Sequence, residues 1–212
     1  MVKRIKKTVK NKPTRERKKI IVIGTEGNNK TEVQYFRNLE RQQSQYRFIF
    51  AQGNETDPIK ILKNTIHRSR EEELSFKNGD MSLSVFDLDL DISKVPQLDE
   101  AKKLAKKDNT CIITSNPCFE IWYLEHFGYT SKSFSNSREL IRELKKHIPD
   151  YQKNTCDFKL LFPLTDQAIK NCKSLDEHHC MNSEEIAFEF SNPRTDVYKI
   201  IEKILFERGD NK

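Results

Sequence analysis

Three carboxylates, Asp87, Asp89 and Asp91, alternate at the end of the apolar run Met81–Ser82–Leu83–Ser84–Val85–Phe86. An apolar run of this length reads as a buried strand, and its last residues then point into the crevice at the strand's carboxyl end. In extended backbone, residues two apart share a face, so the three Asp side chains crowd negative charge into one small volume. Like charges that close repel and raise each other's pKa unless a cation neutralises them. Ligands that are all oxygen favour a hard ion, Mg²⁺ or Mn²⁺. Taken alone, the segment is equally well explained as a solvated acidic turn, or as an Asp helix cap, after an ordinary strand.

A fourth carboxylate, Glu26, lies in the turn Gly24–Thr25–Glu26–Gly27–Asn28–Asn29–Lys30–Thr31. The turn invites comparison with a phosphate-binding P-loop, which needs Gly immediately before Lys–Ser/Thr so that backbone amides can wrap the phosphate. Asn29 fills that place, and Glu26 would set a negative charge inside the anion nest, so the P-loop reading fails. A carboxylate there suits a metal ligand or a general base for water, or else an exposed turn acid.

The elements that must position these residues alternate. Ile20–Ile23 reads as a buried strand, and Thr31 as the cap of a helix over about 32–43 with Val33, Phe36 and Leu39 on its apolar stripe. Tyr46–Ala51 is a second strand, and Asp57–Pro58 opens a helix to about Leu74 in the cap-then-Pro order. After the strand at 81–87 come a helix over 97–107 and a strand at Thr110–Thr114. Strands alternating with helices predict an α/β fold with a mainly parallel sheet flanked by helices, in which loops at the carboxyl ends of the strands form the ligand crevice. Glu26, the Asp cluster and Ser115–Asn116–Pro117 then fall on one sheet edge. From Pro117 onward the chain reads as a helical elaboration, with helices over 117–127, 137–147, part of 163–178 and 195–207, while 150–162 is ambiguous.

Asn116, at the strand end just before that elaboration, is a second-tier candidate for phosphate or for the surroundings of a metal, and Glu120 is a second-tier candidate without an assigned role. Pro117 at a helix start and Glu120 in its first turn equally satisfy helix geometry and dipole. His126 reads as a packing residue. Cys172, His178, His179 and Cys180 lack the spacing of a zinc site.

Charge is unevenly placed. Residues 1–19 hold ten cations, Lys3, Arg4, Lys6, Lys7, Lys10, Lys12, Arg15, Arg17, Lys18 and Lys19, against Glu16 alone. This is a local +9 within a whole-chain +6, so the remaining 193 of the 212 residues carry −3. The expectation is a basic, disordered arm over 1–19 that contacts nucleic acid phosphates, or a solubilising leader, ahead of a single domain over 20–212. No apolar run approaches the roughly 20 residues that cross a bilayer, and no apolar stretch follows the basic start as in a secretory signal. Five cysteines, an odd number without close pairs, fit reduced thiols in a cytoplasmic protein.

Glu26 after the first strand and Asp87–x–Asp89 after the third resemble the Toprim domain of topoisomerases, primases and several nucleases. With Lys30–Thr31–Glu32, Tyr35–Phe36, Ser115–Asn116–Pro117–Cys118–Phe119–Glu120–x–Trp122, His126–Phe127 and Asn192–Pro193–x–Thr195, the chain resembles the RloB-like family from about residue 19 to 207. That resemblance implies a Toprim-like fold and a metal-dependent nuclease of bacterial antiphage defence, usually encoded beside an ABC- or AAA-type ATPase. Glu26, Asp87 and Asp89 inherit the catalytic and metal-binding roles, whereas Asp91 lies beyond the DxD and inherits none securely. The function expected is hydrolysis of phosphodiesters in DNA or RNA, tRNA included, as a toxic effector gated by the ATPase. Two alternatives stand beside it: a non-catalytic nucleic-acid-binding or ATPase-docking module, and a phosphohydrolase of small phosphate esters.

Overall fold

The computed structural model describes residues 17–27, 30–51, 53, 55–182 and 188–206. Among the described residues five strands form one sheet: β1 Lys19–Thr25, β2 Tyr46–Phe50, β3 Met81–Asp87, β4 Thr110–Asn116 and β5 Arg194–Thr195. Their order is β2-β1-β3-β4-β5; the first four are parallel and β5 pairs antiparallel with β4. The helices are α1 Lys30–Gln42, α2 Pro58–Glu71, α3 Val95–Lys107, α4 Glu120–Leu124, α5 Ser137–Leu144, α6 Phe158–Leu161, α7 Thr165–Asn182 and α8 Val197–Phe206.

The expected α/β fold with helical elaboration is present, and the strand order gives it a switch point. The chain leaves β1 towards β2 on one side, then returns to place β3 on the other. In open parallel sheets such a reversal leaves a crevice at the carboxyl ends of the two strands, where ligands bind. Here those strands are β1 and β3.

Each face of the sheet has its own cover. On one, α2 and α3 pack through Leu62, Ile66, Ala101 and Ala105. The approach of α2 is close enough that a Cβ on Gly24 would sit 1.9 Å from Thr65 Oγ1, so only glycine fits at that point of β1. On the other face Ile21, Ile23, Leu83 and Val85 meet α1, α4, α7 and α8 in the main core. An aromatic cluster ties that side together: Tyr35 of α1 lies 5.4–6.2 Å, ring to ring, from Phe36, Phe119, Trp122, Tyr123 and Phe158. These rings fix α1 against α4 and α6, and so fix the carboxylates that α1 and α4 carry.

Several sequence expectations are corrected. Thr31 is the second residue of α1 rather than its cap, and its hydroxyl accepts the Asn154 amide at 3.0 Å. The helix expected over 117–127 is only the short α4, and the start expected at 195 is occupied by β5, with α8 following it. The arm boundary also moves. Lys19 opens β1 and sits over the Tyr46 ring, and Arg17 pairs with buried Asp80 at 3.0 Å, so these two cations serve the fold. Lys3, Arg4, Lys6, Lys7, Lys10, Lys12 and Arg15 lie outside the described residues. No described helix is long and apolar enough to cross a membrane.

Candidate functional site

Glu26 leaves the carboxyl end of β1 and turns onto the end of β3, where its Oε1 accepts the Asp87 amide at 3.1 Å. The two predicted carboxylates from separate strands are therefore neighbours at the switch point. Asp87 is the last residue of β3, 5% exposed, and no described group donates a hydrogen bond to its carboxyl oxygens. Two further acids complete the pocket: Glu32 from the first turn of α1, 1% exposed, and Glu120 from the start of α4, 2% exposed. Glu120 Oε1 accepts the Tyr151 hydroxyl at 2.8 Å.

The electrostatics follow from burying like charges together. Burial, followed by the charges of Glu32, Glu120, Glu26 and Asp89, pushes the Asp87 pKa well above the usual carboxylate range. Burial does most to push Glu32 up to about 8; its own backbone amide opposes the rise, and Glu120 and Glu26 add to it. Glu26 is raised by burial too, with the Asp87 amide and the nearby Lys94 working against the shift.

Asp89 departs from the extended geometry expected of it. The strand ends at Asp87, and both Asp89 (φ 53°) and Leu90 (φ 59°) adopt left-handed backbone, which swings the chain away from the sheet. Asp89 is consequently exposed and pairs with Lys94 at 2.8 Å, while Lys94 also donates to the Asp87 carbonyl at 3.1 Å. Its charge still reaches Glu26 and Asp87. Asp91 is further out, capping the 3-10 turn at Ile92–Lys94 by accepting from Ser93 N and Oγ.

Asn116 has a structural role. Its Oδ1 accepts the Leu90 amide at 3.0 Å, and its Nδ2 donates to the carbonyls of Phe190 and Ser191. With both ends engaged, it locks the loop after β3 against the segment that leads into β5. His126 is buried against Trp122, its Nδ1 2.7 Å from the Trp122 carbonyl and its pKa pulled down to about 4 by burial.

Two members of the site were not singled out as candidates from sequence. Glu32 carried a signal: with Tyr35, Phe36 and Leu39 it falls on the buried stripe of α1, an acid at an apolar position. Lys153, whose charge faces Glu120, Asp87 and Glu32, carried none, because it comes from the ambiguous loop before α6.

The donor chemistry fits a hard divalent cation: Asp87, Glu26, Glu32 and Glu120 offer only oxygens, and the buried Asp87 carboxyl takes no hydrogen bond from a described group. Among the described residues, however, no three His, Cys, Asp or Glu side chains already stand in position to hold an ion. Glu26 would have to turn from the Asp87 amide, and Asp89 from Lys94, before either shared one with Asp87. Elsewhere a cavity of about 290 Å³ opens between α3 and β4, lined in part by Lys102, Glu189 and Asp196. Three of its four charged side chains are already matched, Lys102 with Glu189 and Asp196 with Arg194, so it competes poorly as a site.

No curated protein and no solved structure matches the chain. The family model described as RloB-like protein matches residues 21–204, from the second residue of the first buried strand run to the last turns of α8 and including every carboxylate of the pocket, and the chain belongs to the RloB-like family.

Proposed function

We propose that the protein is a metal-dependent nuclease whose site is the carboxylate pocket at the ends of β1 and β3. One observation carries the reading: Asp87, a buried carboxylate at the switch point, is packed among Glu26, Glu32 and Glu120 without a hydrogen-bond donor from the described chain. Charge arranged at such cost, at the position where this class of sheet binds ligands, is the arrangement of a cation site. Asp87, Glu26 and Glu120, with Glu32 behind them, would hold Mg²⁺ or Mn²⁺, and Asp89 would join on leaving Lys94. When bound, such an ion supplies Lewis-acid stabilisation of charge on a phosphodiester and lowers the pKa of water. Among the four pocket carboxylates Glu26 alone is half-buried rather than buried, so it is the one able to take a proton from an attacking water. Lys94 and Lys153 at the rim offset negative charge that substrate phosphates bring.

Family membership motivates the finer reading, a toxic effector of antiphage defence gated by an ABC- or AAA-type ATPase, with DNA, messenger RNA or tRNA as target. The cations of residues 1–15 would add sequence-independent phosphate contacts. The test is Mg²⁺- or Mn²⁺-dependent cleavage of plasmid DNA, messenger RNA and tRNA by the full chain. Asp87→Asn and Glu26→Gln should each lower cleavage on the order of 1,000-fold while leaving the circular dichroism unchanged. Full cleavage by both variants would place the chemistry elsewhere. The Asp89–Lys94 pair, which engages the second Asp of the DxD with a cation of the chain itself, favours a second reading, a non-catalytic binding module, which predicts nucleic acid binding that neither substitution alters.

A further inference from the structure

The two outer edges of the sheet are finished differently. On β2 the outward backbone groups are occupied by side chains of α1 and the turn after it. Gln43 accepts the Tyr46 amide at 2.7 Å and donates to the Tyr46 carbonyl at 3.0 Å, and Glu40 accepts the Phe48 amide at 3.0 Å. On β4 the two-residue β5 covers only the carboxyl end, pairing with Ser115 and Asn116, and the Asp196 amide adds one bond to the Thr114 carbonyl at 2.8 Å. The Leu88 amide reaches the Ser115 carbonyl from the β3 side, so alternation turns the backbone of the even-numbered residues of β4 outward. Thr110 and Ile112 therefore direct their N–H and C=O groups away from β3, with no bond to a described residue. Alongside that open stretch lies the cavity of about 290 Å³ between α3 and β4, with Leu98, Ala105 and Ile112 as its apolar lining. Of its charged side chains, Lys106 alone pairs with no described acid, and the same holds for its exposed neighbours Lys103 and Lys107 on the last turns of α3.

We propose that the open edge of β4 is a docking site for an extended acidic segment of a partner protein, added as a strand antiparallel to β4, the direction β5 already takes. An unblocked edge is a template for pairing, which Gln43 and Glu40 prevent on β2 and nothing described prevents at Ile112. Main-chain bonds to Ile112 and Thr110 supply affinity, and side chains supply the choice of partner. Alternate residues of the added strand face α3, so an apolar residue opposite Ile112 fills the groove while acids two positions to either side come within reach of Lys106 and its neighbours. Charge decides between occupants: a second copy brings the same three lysines and is repelled, whereas an acidic strand is attracted. This edge flanks the amino half of β4, while the carboxylate pocket stands at the carboxyl ends of β1 and β3, so the docking site does not depend on the cation-site reading.

The test is fluorescence anisotropy of the full chain with a labelled peptide of that pattern, Thr-Glu-Thr-Val-Thr-Glu-Thr. Binding should slow hydrogen exchange over residues 110–113. Methylating the peptide nitrogen of Val, whose N–H faces β4 in the antiparallel pair, should weaken binding on the order of tenfold, whereas methylating the next Thr, whose N–H faces solvent, should change it little. Lys106→Glu, a change at an exposed position, should also weaken binding on the order of tenfold, and a peptide with Lys in place of Glu should bind more weakly still. No binding by the peptide overturns the docking site, and single-stranded RNA held through Lys106 in its place would assign the lysines to nucleic acid. Equal losses from both methylations, or protection away from residues 110–113, overturn the added strand. Self-association of the chain that the peptide disperses would give the edge to a second copy and overturn the acidic partner.

Discussion

Two sets of buried charges lie at the carboxyl side of the sheet, and they are built on opposite terms. Around β5, Arg194 meets Asp196 with both terminal nitrogens, at 2.7 and 3.1 Å, and its Nε lies 3.1 Å from Asp176. Lys199 reaches Asp196 at 2.6 Å, the Tyr198 hydroxyl donates to Asp176, and the Thr114 hydroxyl donates to Asp196. Two acids are matched by two cations and further donors, so despite burial Asp196 falls to about 2, held down by Arg194 and Lys199. At β1 and β3, by contrast, Glu26, Glu32, Asp87 and Glu120 face each other with Lys153 at the rim, and three of them are displaced upwards. A matched network holds chain segments together. An unmatched one raises the free energy of the folded chain, and the nearby Lys94 and Lys153 offset only part of it.

The comparison can be broken by removing one charge from each set. Arg194→Leu should cost about 3–5 kcal/mol in urea unfolding, because it strands two buried carboxylates. Asp87→Asn should do the reverse and stabilise the ion-free chain by about 1–3 kcal/mol, since it removes repulsion rather than a partner. If both variants were destabilised alike, the pocket would be a structural network like the other.

The pH profile sharpens the same contrast. Glu32 has its folded pKa raised from 4.5 to about 8, so the folded chain holds a proton that the unfolded chain releases. Its contribution to stability therefore falls as pH rises through that window, and Glu32→Gln should flatten the fall seen in melting temperature without added ion. Asp196 runs the other way: its contribution is present above 3.8 and is lost as pH drops towards about 2. The smallest effect expected is Arg17→Ala, less than about 1 kcal/mol, because the arginine side of that pair is half-exposed and screened.

Much of the scaffold was legible before any coordinates. The strand at 81–87 and the cap-then-Pro start at Asp57–Pro58 follow from local pattern, and the structure has both, with the Asp57 side chain accepting the Lys60 amide. Placing Glu26 and Asp87 on one sheet edge needed only the parallel βαβ rule. The shared face expected of Asp87 and Asp89 fails because alternation holds only while backbone stays extended, and the left-handed pair at Asp89 and Leu90 ends it. The two-residue β5 was missed because so short a strand has no periodicity to read.

The sequence by itself determined the alternation of elements, the parallel sheet, the edge on which carboxylates gather and the family to which the chain belongs. All of these are encoded in residues a few positions apart. Tertiary structure alone decided which carboxylates share one pocket and what balances them. Glu32, Glu120 and Lys153 come from three separate segments, brought together by the aromatic packing around Tyr35 and by the bonds from Tyr151 and Asn154. Burial, on which their charge states depend, is a property of the folded surroundings and is carried by no single residue.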